Sequence, residues 1–243
     1  MRNKSIIAIT SDMDWAPDEI INHFLSIVND FGVRVTFFCT HSVNIEGKHE
    51  LSVHPDYKPE EPYGETLKRL LNLFPMAKGV RNHGLFYHGS ILPIFSKHNI
   101  KYISNSLMYR QSHINPFLIS KDVLELPIYF MDDKYLHFGG RFQLDELDLS
   151  QPGLKIFGFH PIHIFLNTNS LEVYESAKKY YQQPKQLENY KNHNRGIKDL
   201  FIELLSYIRE NEIPTYTLGE VNDLWRQNRL ELDGSVKDRG TYD

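Results

Sequence analysis

The sequence predicts an α/β fold with a mostly parallel sheet, open or closed. Three observations carry this reading. Short apolar, strand-like runs alternate with amphipathic helical stretches along most of the chain. Titratable residues fall just past the ends of those runs, where α/β folds gather their sites. The length of 243 residues suits one α/β domain of barrel size.

Taken in order, residues 5–10 form a compact β-type run. Ala16-Pro17-Asp18-Glu19 reads as a helix start, with proline early and acids in the first turn. Ile20, Ile21, Phe24, Ile27, Val28 and Phe31 follow at helical spacing, and Gly32 is the stop. Strands are expected at 33–40, 50–53, 77–80, 101–104, 123–128 and 154–159. Leu67, Leu70, Leu71 and Phe74 mark a second helix, and 91–98 a third. Ile197, Leu200, Phe201, Leu204, Leu205 and Ile208 trace a long helical stripe, and 215–218 reads as a last short strand. The polar stretch 167–195, rich in Tyr, Lys, Gln and Asn, reads as an insertion or flap. Residues 1–232 are expected to form one domain, and 233–243 a loose tail.

Composition narrows the partners. A net charge of −4 gives no bulk attraction to nucleic acid or anionic membrane. A single cysteine, Cys39, rules out an intrachain disulfide and fits a reducing compartment. The opening Met1-Arg2-Asn3-Lys4 and the short apolar run after it are too brief for a signal-peptide core. No apolar run reaches membrane-span length. The expected location is the cytoplasm. Twelve histidines and 13% aromatic residues suit a site for metal and sugar.

The candidate chemistry sits at strand ends. Asp12 and Asp14 follow the first strand, His41 the second, His54 the third, Arg81 and His83 the fourth, and His160 the strand at 154–159. Each has a plain structural alternative. An Asp before a helix is commonly an N-cap, and Arg81-Asn82-His83 also reads as a surface turn. His54, His160 and His163 each read singly as packed or solvated loop histidines. Together they supply two imidazoles and a carboxylate, the donor set that one divalent metal needs.

These stretches resemble the polysaccharide deacetylases, also called NodB-homology proteins or carbohydrate esterase family four. Ile9-Thr10-Ser11-Asp12-Met13-Asp14 is similar to the family's Thr-Phe-Asp-Asp opening. Val35-Thr36-Phe37-Phe38 is similar to its second-strand motif. Ser52-Val53-His54-Pro55-Asp56 is similar to half of its His-(Ser/Thr)-x-x-His-Pro motif. Arg81 and His160 match its fourth-strand arginine and its Leu-x-His. Glu50–Pro55, Arg81-Asn82-His83-Gly84-Leu85, the segment from Leu126 to Asp133 and the segment from Phe159 to Asn167 resemble the WbmS-like branch. Two departures stand out. The family's first histidine slot falls on Glu50, with His49 one residue off, and its Asp-Asp pair is here Asp-Met-Asp.

The resemblance implies a distorted (β/α) barrel of NodB-homology type, with about seven parallel strands. It implies metal-assisted amide hydrolysis, with Asp12 as general base, Arg81 holding it ionised and oriented, and His160 as general acid. Asp14, His54 and His83 are the expected metal ligands. Glu50 is the rival third ligand, less favoured than His83. The ion is expected to be Zn²⁺, with Co²⁺, Ni²⁺, Mn²⁺ or Fe²⁺ as alternatives. Asp132, Asp133 and His163 are candidate supporting residues. Trp15, Tyr87 and Asn167 are candidate substrate contacts. The implied substrate is an N-acetylated sugar, linked to a nucleotide or a polyprenyl diphosphate, in an O-antigen or capsule precursor. Lys178, Lys179, Lys185, Lys191 and Arg195 offer cations for such a carrier, or else form a solvated helix face. Two other readings stay open: a different metal-dependent amidohydrolase, and an inactive carbohydrate-binding relative.

Overall fold

The computed structural model describes residues 5–230 and Leu232, so the expected tail at 233–243 lies outside the described residues. The first strand, β1 (Ser5–Asp12), is rich in isoleucine and buried at every position after Ser5. That is how a central parallel strand, covered on both faces, reads. Pro17 caps α1 (Asp18–Asp30), which buries Ile20, Ile21, Phe24, Leu25 and Val28. Gly32, at φ 68°, lets the chain turn back, and the Val33 N–H reaches the Val28 carbonyl at 3.0 Å. There follow β2 (Val35–Cys39), β3 (Glu50–Val53), α2 (Tyr63–Leu73), β4 (Gly79–Val80), α3 (Ile91–Lys97) and β5 (Tyr102–Ile103). Next come β6 (Phe117–Leu118), β7 (Leu124–Glu125), β8 (Phe130–Met131), α4 (Asp132–His137) and β9 (Gly153–Phe159). The rest is helical: α5 (Pro161–Leu166), α6 (Leu171–Ala177), α7 (Pro184–Leu187), α8 (Ile197–Glu210) and α9 (Leu218–Arg226).

The nine strands among the described residues make one sheet, ordered β6-β7-β5-β4-β3-β2-β1-β9-β8. All pairings are parallel except that of β6 with β7. The sheet curls into a half-barrel with helices around it, the expected distorted (β/α) barrel, and β6 and β8 are its two edges. Its outer face packs on helices through aromatic rings. Phe24 of α1 meets Phe37 at 5.9 Å and Phe201 of α8 at 5.2 Å, and Phe201 meets Phe159 at 4.5 Å.

Eight of the described strands run in parallel register, in keeping with the expected barrel of about seven, and one of them, β8, is only two residues long. Two details differ from the sequence reading. The expected strand 123–128 pairs as a ladder only at Leu124 and Glu125. Pro127 has no N–H to give, and Ile128 then forms a single bridge to Leu107. The expected strand 215–218 is a single bridge, Ile7 to Thr215. Thr217 instead caps α9, its hydroxyl taking the Glu220 N–H while the Glu220 carboxylate takes the Thr217 N–H at 2.9 Å.

The inner face of the curl is unusually polar. Thr36, Glu50, Ser52 and Tyr102 meet near the N-terminal ends of the strands. Tyr102 bonds Ser52 at 2.8 Å and Glu50 at 2.9 Å. Gly79 makes room for this ring, since a Cβ there would lie 2.0 Å from it. Higher up, Thr10 and Asp12 share one face of β1, being two residues apart. Fully buried Arg81 bonds both, at 2.8 and 2.7 Å, and also the Ser104 carbonyl and hydroxyl at 3.0 and 2.9 Å.

Candidate metal centre and catalytic cleft

The rim past the C-terminal ends of β1, β3, β4, β8 and β9 holds the candidate residues. Asp12 ends β1, and the chain then turns sharply. Asp14 and Trp15 both take left-handed backbone, at φ 41° and 56°. Aspartate tolerates this, but tryptophan does so at a cost of order 1–3 kcal/mol. The turn is held by Met13 N–H on the Phe38 carbonyl at 3.0 Å and Trp15 N–H on the Thr40 hydroxyl at 2.9 Å. The strain brings the Asp14 carboxylate back over the ends of β3 and β4.

His54 is the first residue past β3. Its Nδ1 lies 2.6 Å from the Arg81 carbonyl, which can only accept, so Nδ1 carries the proton. The Nε2 lone pair is thereby aimed at Asp14 Oδ1, 3.0 Å away. His83 opens the short turn after β4, with Nδ1 at 3.2 Å from Asp14 Oδ1 and 3.4 Å from His54 Nε2. Three donors around one tetrahedral divalent ion, with bonds near 2.1 Å, stand about 3.4 Å apart. The donor set and its spacing therefore fit such an ion. Burial opposes the charge of Asp14, but the close approach of His54, His83 and His160 holds its carboxyl well below the usual carboxylate range.

His160 follows β9 and leads into α5. Its Nδ1 meets Asp132 Oδ1 at 2.5 Å, and its backbone N–H meets Asp132 Oδ2 at 2.7 Å. Asp132, fully buried at the head of α4, thus meets one histidine with both oxygens, and its Oδ1 also takes the Asp133 N–H at 2.8 Å. The His160 Nε2 faces Asp14 Oδ2 at 3.5 Å. Burial disfavours a charged imidazole, yet the charge and hydrogen bond of Asp132, with Asp14 and Asp12 beyond, raise its pKa well above the ordinary value. His163 is buried behind it and bonds Thr168 at 3.1 Å, and burial lowers its pKa. Asp132, His160 and His163 form a second close donor group, but Asp132 is engaged by His160, and His163 bonds Thr168.

Asp12, Asp14, His54, His83, His160 and Asp133 all line one cleft of about 370 Å³, with Leu85, Met131 and Lys134. Lys134 pairs with Asp133 at 3.0 Å. Trp15 stands at the rim, 41% exposed, with its ring edge-on to His83 at 5.2 Å.

Other expected residues lie elsewhere. Glu50 begins β3, and four residues of strand put it about 13 Å from His54. Its carboxylate takes the Thr36 hydroxyl at 2.8 Å, the Tyr102 hydroxyl at 2.9 Å and the Gly219 N–H at 2.9 Å, a structural role at the opposite end of the sheet. His49 accepts the Val35 N–H at 3.2 Å, also at that end. His41 bonds Thr40 and does not line the cleft. Asn167 spends its amide on Asn194, Asp199 and the Lys198 N–H, at 2.9 to 3.0 Å, and closes the loop after α5 instead of reaching substrate space. Tyr87 is exposed and does not line the cleft. The polar stretch after Asn167 folds as short helices, and Gln182 clips it to the Trp15 carbonyl at 2.8 Å. Its cations are mostly engaged: Lys178 with Glu175, Lys191 with Glu188, Arg195 with Glu203. Sequence reasoning missed Ser104, Met131 and Lys134. Ser104 follows β5, so the strand-end rule that selected Asp12 and His54 also selects it.

A curled parallel sheet carrying carboxylates and imidazoles on its C-terminal rim is the architecture of the polysaccharide deacetylases. The WbmS-like polysaccharide deacetylase model matches residues 9–178, and the chain belongs to that family. A solved protein from Bordetella bronchiseptica, described as a polysaccharide deacetylase involved in O-antigen biosynthesis, is 28% identical. The match covers 85% of this chain and 91% of that one, with a TM-score of 0.78. The fold is shared more distantly with a polysaccharide deacetylase from Mycobacterium smegmatis, at 12% identity, 97% and 94% coverage and a TM-score of 0.54. It is also shared with a family 4 carbohydrate esterase from Bacillus anthracis, at 12% identity, 92% and 84% coverage and a TM-score of 0.50. No curated protein sequence matches the chain.

Proposed function

We propose that this protein is a metal-dependent deacetylase that removes the N-acetyl group from a sugar of a surface-polysaccharide precursor. The observation that supports it best is the Asp14–His54–His83 donor set beside two proton-handling pairs, Asp12–Arg81 and His160–Asp132, on one cleft. The description of the Bordetella protein supports O-antigen synthesis as the setting. In this reading the enzyme works in the cytoplasm on a nucleotide- or polyprenyl-diphosphate-linked sugar. No helix among the described residues is long and apolar enough to cross a membrane.

Asp14, His54 and His83 would hold a divalent ion, Zn²⁺ for an Asp-His-His set, which would supply polarisation of the amide carbonyl and a more acidic water. The remaining work falls to the chain. Asp12 takes the proton from the attacking water, and Arg81 fixes the carboxylate by a 2.7 Å ion pair on the far side. His160 delivers a proton from Nε2 to the departing sugar amine, and Asp132 holds it in the tautomer and charge state for that step. Asp133 and Lys134 lie on the cleft wall, where they meet the substrate.

The test is metal content together with acetate release from an N-acetyl sugar nucleotide. Wild-type protein is expected to hold one divalent ion and to lose turnover on chelation. Asp12→Asn keeps the ion and loses turnover, Asp14→Asn loses the ion, and His160→Ala slows the reaction by about 10² to 10⁴. Loss of metal in Asp12→Asn with retention in Asp14→Asn reverses the two roles.

A further inference from the structure

We infer that Asn105 is a positioning residue for the metal centre, fixing the turn that carries His83, and that Glu125 in turn fixes Asn105. The inference rests on the reading of Asp14, His54 and His83 as metal ligands.

His83 is the least supported of the three. Its side chain is 38% exposed, against 2% for His54. Apart from the two other candidate ligands, Asp14 at 3.2 Å and His54 at 3.4 Å, its ring meets the edge-on Trp15 ring at 5.2 Å. The preceding strand, β4, has two residues, so the ladder gives little hold beyond Arg81. Gly84 and Leu85 then take left-handed backbone in succession, at φ 62° and 55°. For leucine that conformation costs energy and persists only where the surroundings enforce it. The position of the His83 ring is therefore set by its backbone.

That backbone is clamped at both ends by one side chain. Asn105 Oδ1 accepts the Asn82 N–H at 2.8 Å, and Asn105 Nδ2 donates to the Phe86 carbonyl at 2.8 Å. Asn82 Nδ2 donates to the same carbonyl at 2.8 Å, and the His83 N–H reaches the Pro55 carbonyl at 3.0 Å. A primary amide is the side chain that offers an acceptor and a donor side by side. Asn105 is itself held. Its N–H and that of Ser106 both donate to Glu125 Oε1, at 2.8 and 2.9 Å. Glu125 is fully buried, and burial pushes its carboxyl up to about 7 despite those hydrogen bonds. A carboxyl buried at such a cost is explained by what it anchors: the start of the loop that presents Asn105.

Partners that orient ligands from behind typically cost 10- to 100-fold in metal affinity when removed. The experiment is a double-mutant cycle on the full chain, read as Zn²⁺ affinity by chelator competition. The visible spectrum of the Co²⁺-loaded protein reports the ligand set independently. Asn105→Ala is expected to weaken Zn²⁺ binding by about 10- to 100-fold and to alter the Co²⁺ bands. Asn105→Asp keeps the acceptor, loses the donor, and falls between. Glu125→Gln keeps the acceptor and stays near wild type, whereas Glu125→Ala follows Asn105→Ala. The deciding comparison is made in the His83→Ala background. There Asn105→Ala is expected to cost no further affinity, because it acts through His83. A loss that adds fully to that of His83→Ala overturns the inference and marks Asn105 as merely structural. If Asn105→Ala does not fold, Asn105→Asp completes the same cycle. Unchanged affinity in His83→Ala itself overturns both the inference and the metal reading, so the two failures are distinguishable.

Discussion

At His160 a single buried carboxylate decides how an imidazole can act. Asp132 grips both the ring and the backbone of His160, so the ring can neither rotate nor change tautomer without breaking a bond of 2.7 Å or less. It also supplies the main force raising the His160 pKa against burial. A general acid works only while protonated, so activity falls as pH rises through its pKa. Asp132→Asn removes the raising charge and returns the His160 pKa downward. The alkaline limb of kcat/KM is therefore expected to move to lower pH, with a smaller effect near pH 5 than near pH 8. A pH–rate profile on the variant checks this, and an unmoved alkaline limb assigns the acid to another group.

The elements show why one rim collects the chemistry. β1, β2, β3 and β9 run parallel, so their C-terminal ends point the same way, and residues just past them converge. Long periodic elements were legible from this logic. The stripes of α1 and α8 lie where their apolar spacing put them, and Asp12, Asp14, His54, His83 and His160 fell out of the strand-end rule. Two-residue strands such as β6 and β8 carry no period, so nothing in Phe117–Leu118 or Phe130–Met131 announces a ladder. Glu50 entered as a rival ligand because the family's first histidine slot falls on it, although it opens the strand at 50–53 and the strand-end rule points to the other end. Thr217-x-x-Glu220 was legible as a capping box but was read as strand. Within β9, Lys155 is a cost the pattern did not explain. It is 1% exposed, its Nζ has no hydrogen-bond partner, and it rests on the Tyr129 ring at 4.1 Å. Burial lowers its pKa from 10.5 to about 8, partly offset by Asp148. Between those values the unfolded chain binds more protons than the folded one, so this residue makes stability rise with pH across that window. Lys155→Met is expected to raise the melting temperature at pH 7 by a few degrees, for a gain of about 1 kcal/mol. It should also flatten the alkaline rise, as thermal melts at pH 7 and pH 10 will show. A variant less stable than wild type at pH 7 would mean that the cation–π contact outweighs desolvation.

For the molecule as a whole, shape and charge bear on what enters the cleft. The net charge is −4, and the cations of the polar segment that holds Tyr174, Tyr180, Tyr181 and Tyr190 are mostly spent on neighbouring acids. A weak long-range pull on a phosphorylated carrier is therefore expected. That segment also flanks the rim, since Gln182 reaches the carbonyl of Trp15, next to Asp14. A cleft flanked by that segment suits the end of a short precursor better than the middle of a long polymer. The expectation is that a nucleotide-linked N-acetyl sugar turns over faster than a long chitin-like oligomer. The preference over free sugar should depend only weakly on salt, because paired surface charges contribute little. Acetate release measured on free sugar, nucleotide-linked sugar and oligomer, at low and high ionic strength, tests this directly. Preference for the oligomer defeats the precursor reading. A steep loss of the nucleotide-linked rate with salt returns the carrier contact to Lys178, Lys179, Lys185, Lys191 and Arg195. Equal rates on free and linked sugar mean that the cleft reads the sugar alone, and that the carrier stays in solvent.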